Sequence, residues 1–323
     1  MEVMFMSLRA RRRWGALLLV VLTACPATMA GAATPKTRSS EAPGFHTAAS
    51  GPRTANRRPG VRRRARRAPP GGVVWARNAI VLDPATGQVL YEKNAGAAAP
   101  CASLTKLMTT LVLLEQQPDM DRVVEVTRSE IGGGGHTQLR RGEHVRLGDL
   151  LHMGLMSSDN VATRVLVREA GLPAEDFLAR MNRKAVELGL ARTRFVEFTG
   201  LDERNVSTAA DIARLLRAAA ANETIREIST TRGYDFRSLS ARNRARAHHV
   251  SNTNRLLYGR YEIRGGKTGF IHEAGYCLAT WVRTEGRDMI AVVLGAPTNA
   301  TRFADVVRLV QHTSTLSVAP SGL

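Results

Sequence analysis

Strand-like sequence lies at both ends of this chain's folded region, and the long segment between them carries helical periodicity. "AIVLD" (79–83) and "QVLYEK" (88–93) are rich in β-branched and aromatic residues, with Pro84-Ala85-Thr86-Gly87 as a turn-type spacer. Strand character returns after Ile263 in "GGKTGF", "YCLATWVRT" and "DMIAVVLGA", with Glu285-Gly286-Arg287 as a turn. In the middle, the apolar spacing predicts a helix from Ser103, another from about Leu147 through Leu166, and an amphipathic one over "AEDFLARMNRKAVELGL" (174–190). "STAADIARLLRAAAA" opens with Ser207 or Thr208 as cap and Asp211 in its first turn, and "TRFADVVRLVQH" reads as a last helix. An isolated hairpin cannot bury its apolar face. The early and late strands are therefore expected to share one antiparallel sheet, with the helical block inserted between them, an α+β arrangement.

The segment before Val73 has a different character. Arg9, Arg11, Arg12 and Arg13 precede an uncharged run from Trp14 to Ala24, and Ala30-Gly31-Ala32 follows, the order of a secretory signal peptide over residues 1–33. That run is shorter than the ~20 residues that cross a bilayer. Leu22-Thr23-Ala24-Cys25 is similar to a bacterial lipobox, so lipidation at Cys25 stands beside simple cleavage near Ala32. Residues 34–72, including "RRPGVRRRARRAPPGG", have no periodic apolar pattern and read as a disordered basic linker. The folded domain is assigned to 73–323.

Charge follows the same division. Net charge is +18, but residues 1–33 hold four Arg against Glu2, and residues 34–72 hold Lys36 and nine Arg against Glu41, leaving +6 for 73–323. The excess thus sits outside the folded part, which removes the argument for a nucleic-acid partner. A basic arm on an exported protein suits anionic envelope polymers or lipid head groups, or serves only as a soluble spacer. With the leader removed, Cys101 and Cys277 remain; two buried free thiols are expected, although export would permit a disulfide. No zinc-type spacing exists, and His248-His249 is an isolated pair, so no metal or cofactor is expected.

Three short segments carry chemistry, and each has an ordinary reading. Ser103-Leu104-Thr105-Lys106 is either a helix start with Ser103 as cap and Lys106 solvated, or a nucleophile with its base one turn away. Ser158-Asp159-Asn160 alone is a polar turn. Gly266-Lys267-Thr268 matches the end of a phosphate loop, but Tyr261 occupies the first glycine position and the segment precedes strands, so that reading fails. Lysine usage adds a clue. Among 46 basic residues only five are lysine, at 36, 93, 106, 184 and 267, and two of these lie in the segments. Arginine keeps its proton at usable pH, so a base position must stay lysine.

Ser103-x-x-Lys106, Ser158-x-Asn160 and Lys267-Thr268-Gly269, once each and in that order, resemble the motif set of penicillin-binding proteins and class A β-lactamases. "DPATGQVLYEKN", "ASLTKLMT", "LHMGLMSSDNVAT", "FVEFTGLDERNVSTAADIARL" and "GGKTGFIHEAGYCLA" look like the serine D-alanyl-D-alanine carboxypeptidase/endopeptidase family, the low-molecular-mass penicillin-binding proteins, and most like its soluble endopeptidase branch. The similarity spans roughly Ala79 to Leu309. It implies the penicillin-binding-protein/β-lactamase-like fold: a five-stranded antiparallel sheet in an α/β/α sandwich, with a cleft against the inserted helices. It also implies peptidoglycan stem peptides as substrates, β-lactams as inhibitors and a periplasmic or cell-envelope location. By the same resemblance Ser103 is the acylated nucleophile, Lys106 its base, and Ser158 the relay to the leaving amine. Asn160 holds Lys106 and the substrate amide, Lys267 and Thr268 grip the terminal carboxylate, Gly269 admits the substrate backbone, and the Phe270 N–H completes the oxyanion hole.

Two rivals remain on the same fold. A class A β-lactamase needs a deacylating glutamate in a Glu-x-x-Leu-Asn setting. Glu197 instead reads Glu-Phe-Thr-Gly-Leu. The other rival is an inactive cell-wall-binding protein, against which the intact motifs speak.

Overall fold

The early and late strands do form one sheet. In the computed structural model, which describes residues 72–316 apart from 241 and 243, five antiparallel strands lie in the order Val89–Lys93, Asn78–Leu82, Arg287–Ala296, Gly275–Thr284, Glu262–Ile271. The first and last strands of the chain pair at the centre, with Asn78 opposite Leu294 and Leu82 opposite Ile290. The expected leader and linker fall outside the described residues, apart from Gly72.

Both faces of the sheet are covered, which explains why its central strands read as continuous apolar runs and not as alternating ones. Ile80, Leu82, Cys277, Ala279, Ile290, Val292 and Leu294 face the core shared with the helical block. Their alternates Ala79, Val81, Leu278, Met289, Ala291 and Val293 face a second core closed by Phe303, Val306, Leu309 and Val310 of the last helix, Asn299–Leu316. That is the expected α/β/α layering. Burying each such Leu or Ile side chain contributes roughly 1.5–3 kcal/mol before entropy is charged against it.

The helical block departs from expectation at three places. Ser103 does not cap a helix: it sits inside a 3₁₀ turn, Ala102–Leu104, and the α-helix runs Thr105–Glu115 with no side-chain cap bond. The helix expected from Leu147 through Leu166 is broken. A helix at Leu147–His152 loosens into a π-turn at Met153–Ser157, Ser158 adopts left-handed φ 65°, and a new helix, Asn160–Arg168, starts with Asp159 as cap accepting from the Ala162 N–H at 2.9 Å. The periodicity hid this break because apolar residues continue through it on both sides. Third, a four-stranded sheet, Val123–Glu125, His144–Arg146, Gly233–Leu239 and Ala245–Ser251, was not anticipated. Two of its strands are three residues long, too short for a period to show.

The amphipathic helix runs Ala174–Glu187, and the next one, Ala209–Ala221, is capped by Thr208. The two histidines are not isolated. Buried His248 meets the Glu143 carboxylate and lies 3.0 Å from Ser238 Oγ, and exposed His249 pairs with Asp235 at 2.7 Å. Cys101 and Cys277 are both buried free thiols.

Candidate active site

The long cleft-side edge of the main sheet, strand Glu262–Ile271, packs against the 3₁₀ turn that carries Ser103. Its Gly269 passes so close that a Cβ there would stand 3.1 Å from Ser103 N and 3.2 Å from the Cys101 carbonyl oxygen. From behind, the turn is held by Gly200, whose φ is +83° and where a Cβ would lie 1.9 Å from the Ala102 carbonyl oxygen. Ala102 itself is bent to φ 49°, a left-handed conformation that costs a non-glycine residue on the order of 1 kcal/mol. The serine is thus fixed between a strand and a loop, with its residue 8% exposed.

Lys106 follows one turn later and is 1% exposed, not solvated. Its Nζ lies 3.2 Å from Ser103 Oγ, 2.7 Å from Asn160 Oδ1 and 2.6 Å from the Thr199 carbonyl oxygen. Two of these neighbours are pure acceptors and the third is a hydroxyl. The ammonium donates to all three, and after losing one proton the amine still has two hydrogens for the two carbonyl oxygens and a lone pair that can take the Ser103 hydroxyl proton. Burial is the main cause that lowers the Lys106 pKa to about 7; the Glu197 and Asp159 carboxylates pull it back up, and the Arg164 guanidinium depresses it further.

Lys267 is buried on the edge strand. Its Nζ donates to Ser158 Oγ at 2.8 Å and to the Thr268 carbonyl at 3.0 Å. Burial, then the charges of Lys106 and Arg302, press its pKa well below the usual lysine value. Ser158 reaches Lys267 because the π-turn and the left-handed residue swing its side chain out of the helix direction. Thr268 Oγ1 is 2.6 Å from Thr253 Oγ1, and Thr253 is anchored through its own hydroxyl to the Met156 carbonyl at 3.0 Å. Phe270, 41% exposed, stacks on Tyr276 with ring centroids 4.3 Å apart. The structure therefore gathers Ser103, Lys106, Ser158, Asn160, Lys267, Thr268 and Gly269 where the 3₁₀ turn, the π-turn and the edge strand meet, whereas the Phe270 ring stacks on Tyr276.

Sequence reasoning missed several partners. The Thr199 carbonyl left no side-chain signal. Glu197 holds the loop that presents it: its carboxylate accepts from Thr199 N at 2.7 Å, Thr199 Oγ1 at 2.6 Å, Leu201 N at 3.1 Å, Asn205 Nδ2 at 2.9 Å, and from Gly200 N. Those bonds occupy the carboxylate, which leaves it poorly placed to activate a water. Arg302 is 6% exposed and donates to the Gly269 and Cys277 carbonyls at 3.1 and 3.4 Å, behind the Lys267 strand. Its signal was present, since it falls on the same helix face as Val306 and Leu309. Lys184, half-buried on the helix Ala174–Glu187, pairs with Glu115 at 2.5 Å. No cluster of three or more His, Cys, Asp or Glu suited to a metal ion occurs among the described residues.

Comparison with known proteins follows the same lines. A family model described as Peptidase_S11, D-alanyl-D-alanine carboxypeptidase, matches residues 64–298. A D-alanyl-D-alanine endopeptidase of Pseudomonas aeruginosa is 37% identical over 72% of this chain and 75% of its own length. The crystal structure of the Streptomyces K15 DD-transpeptidase superposes with a TM-score of 0.71 at 26% identity, covering 75% of this chain and 98% of that one. Penicillin-binding protein D2 of Listeria monocytogenes, in its cefotaxime-bound form, gives 0.62 at 28% identity over the same shares. The fold is that of the penicillin-binding DD-transpeptidases.

Proposed function

Because the chain belongs to the D-alanyl-D-alanine carboxypeptidase family, we propose that it cleaves D-alanyl-D-alanine-type bonds in peptidoglycan stem peptides through an acyl-enzyme on Ser103. The observation that carries this reading is the Lys106 pocket, where a buried lysine meets two carbonyl acceptors and the Ser103 hydroxyl.

In the first step Ser103 Oγ attacks the carbonyl carbon of the penultimate D-Ala residue while its proton passes to neutral Lys106 Nζ. The negative oxygen that develops lies toward the Ser103 and Phe270 backbone N–H groups, where the 3₁₀ turn and the edge strand meet. Collapse breaks the C–N bond. The leaving amine takes a proton along the Lys267–Ser158 pair, and the proton held by Lys106 resets that pair. Asn160, fixed by Lys106, orients the substrate amide. Lys267 and Thr268 receive the terminal carboxylate, whose negative charge favours the Lys267 ammonium against the burial and the Lys106 and Arg302 charges that depress it. Water then hydrolyses the ester and restores Ser103.

The relative from Pseudomonas aeruginosa is named an endopeptidase, which favours cross-linked peptide as the better substrate. Location in the cell envelope, reached through the expected leader, is part of the same proposal, as is inhibition by β-lactams; the Listeria relative holds cefotaxime. The occupied carboxylate of Glu197 speaks for slow release of a penicilloyl group and against a lactamase. The test is purified protein with monomeric pentapeptide and with cross-linked dimer, products resolved by mass, alongside peptide mapping of a penicillin adduct. Cleavage of either peptide with the adduct on Ser103 supports the reading. An adduct elsewhere, or rapid turnover of the β-lactam, overturns it.

A further inference from the structure

The segment "GGGGHTQ", residues 132–138, wraps the start of helix Asn160–Arg168 and belongs to none of the three motifs. The His136 carbonyl accepts from Asn160 N at 3.3 Å, and Asp159 Oδ2 accepts from Gln138 N at 3.3 Å. A Cβ at Gly135, φ +88°, would stand 2.2 Å from Asn160 Nδ2, so this exposed loop lies directly against a side chain that holds Lys106. Four consecutive glycines cannot hold such a position by themselves, because each has wide backbone freedom.

What fastens them is Arg164, one helical turn beyond Asn160. Its guanidinium donates to the Glu130 carbonyl at 2.9 Å, the Gly134 carbonyl at 2.8 Å and the Gly133 carbonyl at 2.5 Å. A Cβ at Gly133 would meet Arg164 Cζ at 2.6 Å, so the loop is moulded on the arginine. The planar fork suits three convergent carbonyls in a way a lysine ammonium does not. No carboxylate caps Arg164 directly: Glu130 meets Arg168 at 2.6 Å through its own side chain and offers Arg164 only its carbonyl.

We propose that Arg164 is a positioning residue of the acylation site, fastening the tetraglycine loop against Asn160 and supplying a fixed positive charge to the Lys106 pocket. The proposal rests on the functional reading above and deepens it. The charged groups that act on Lys106 come from separate elements: Glu197 from the loop before Gly200, and Asp159 and Arg164 from the cap and body of helix Asn160–Arg168; Lys267 on the edge strand is itself depressed by the Lys106 charge. Two carboxylates favour the ammonium, and Arg164 opposes them. Its removal would leave Lys106 protonated to higher pH and so short of base at neutrality, while releasing the loop.

Two substitutions separate these effects. Arg164→Gln removes the charge, and Arg164→Lys keeps it but cannot bridge three carbonyls. The chain has only five lysines, so its ¹³Cε-labelled lysine NMR spectrum is simple, and Lys106 is identified by the signal lost in Lys106→Met. In full-length Arg164→Gln the Lys106 titration midpoint is expected to move up, and in Arg164→Lys to stay at the parent position. Acylation by a labelled penicillin should be slowed at neutral pH in Arg164→Gln and recover toward alkaline pH. In Arg164→Lys it should be slowed about equally at every pH. An unmoved Lys106 midpoint in folded Arg164→Gln overturns the proposal, as does acylation by both variants within about twofold of the parent. The NMR readout needs no turnover, so a parent protein that fails to acylate counts against the functional reading while the midpoint still decides the role of Arg164.

Discussion

Lys106 and Thr199 are 93 positions apart, yet the Lys106 amine donates to the Thr199 carbonyl at 2.6 Å. A backbone oxygen cannot give up a proton, so this contact uses one amine hydrogen permanently. Asn160 Oδ1 uses the second, so once the third proton, which points to Ser103 Oγ, is lost, a lone pair faces the serine hydroxyl.

Lys106→Arg keeps the charge and much of the stem but stays protonated, and its fork does not fit a slot built for one nitrogen. The variant should fold and fail to acylate with penicillin, with a loss on the order of a hundredfold to ten-thousandfold. Thermal unfolding and a gel of labelled penicillin adduct check both halves. Lys184→Arg is the control, since Glu115 and Glu187 accept a guanidinium as readily as an ammonium, and its acylation should match the parent.

Two pH dependences follow from the Lys106 value near 7. The base is the neutral form, so the acylation rate should fall as pH drops through about 7. Stability behaves differently. The folded pKa lies below the unfolded value of 10.5, so between the two the unfolded chain binds more protons and stability rises with pH; below about 7 the full cost of burying the cation is present. Lys106→Met should lose its share of that slope in denaturant unfolding measured from neutral to alkaline pH.

Gly200→Ala places a methyl 1.9 Å from the Ala102 carbonyl oxygen and forces a φ of +83° on an L-residue. The backbone term alone costs about 1 kcal/mol, and the clash adds to it by displacing the nucleophile turn. Lower unfolding temperature together with reduced acylation is expected. Undiminished acylation would show that the turn is held by other contacts.

Glu197→Gln replaces a carboxylate that accepts from the Thr199, Gly200 and Leu201 backbone with a group that has one acceptor oxygen. Destabilisation of about 1–3 kcal/mol is expected from the donors left unpaired. Acylation should slow as the Thr199 carbonyl shifts, whereas the lifetime of the penicilloyl-enzyme should not change. A prolonged lifetime, measured by release of labelled adduct, would assign Glu197 to deacylation and reopen the lactamase reading.

The residue types of the site and the main sheet were legible in the sequence, because both are written locally. The five sheet strands show as β-rich runs between turn residues, and their continuous apolar character reflects cores on both faces. The tertiary structure decided the rest. Nothing near Ser158 in the sequence announces a π-turn and a left-handed residue, since apolar residues keep a helical rhythm through Met153–Met156; only packing against Lys267 and Thr253 makes the break worthwhile. The three-residue strands of the second sheet are shorter than any detectable period. Sequence also required a lysine at 106 without showing what lowers its pKa to about 7. The main cause is desolvation, helped by the Arg164 guanidinium 58 positions away and opposed by the Asp159 and Glu197 carboxylates 53 and 91 positions away, all of which act through space and leave no local pattern.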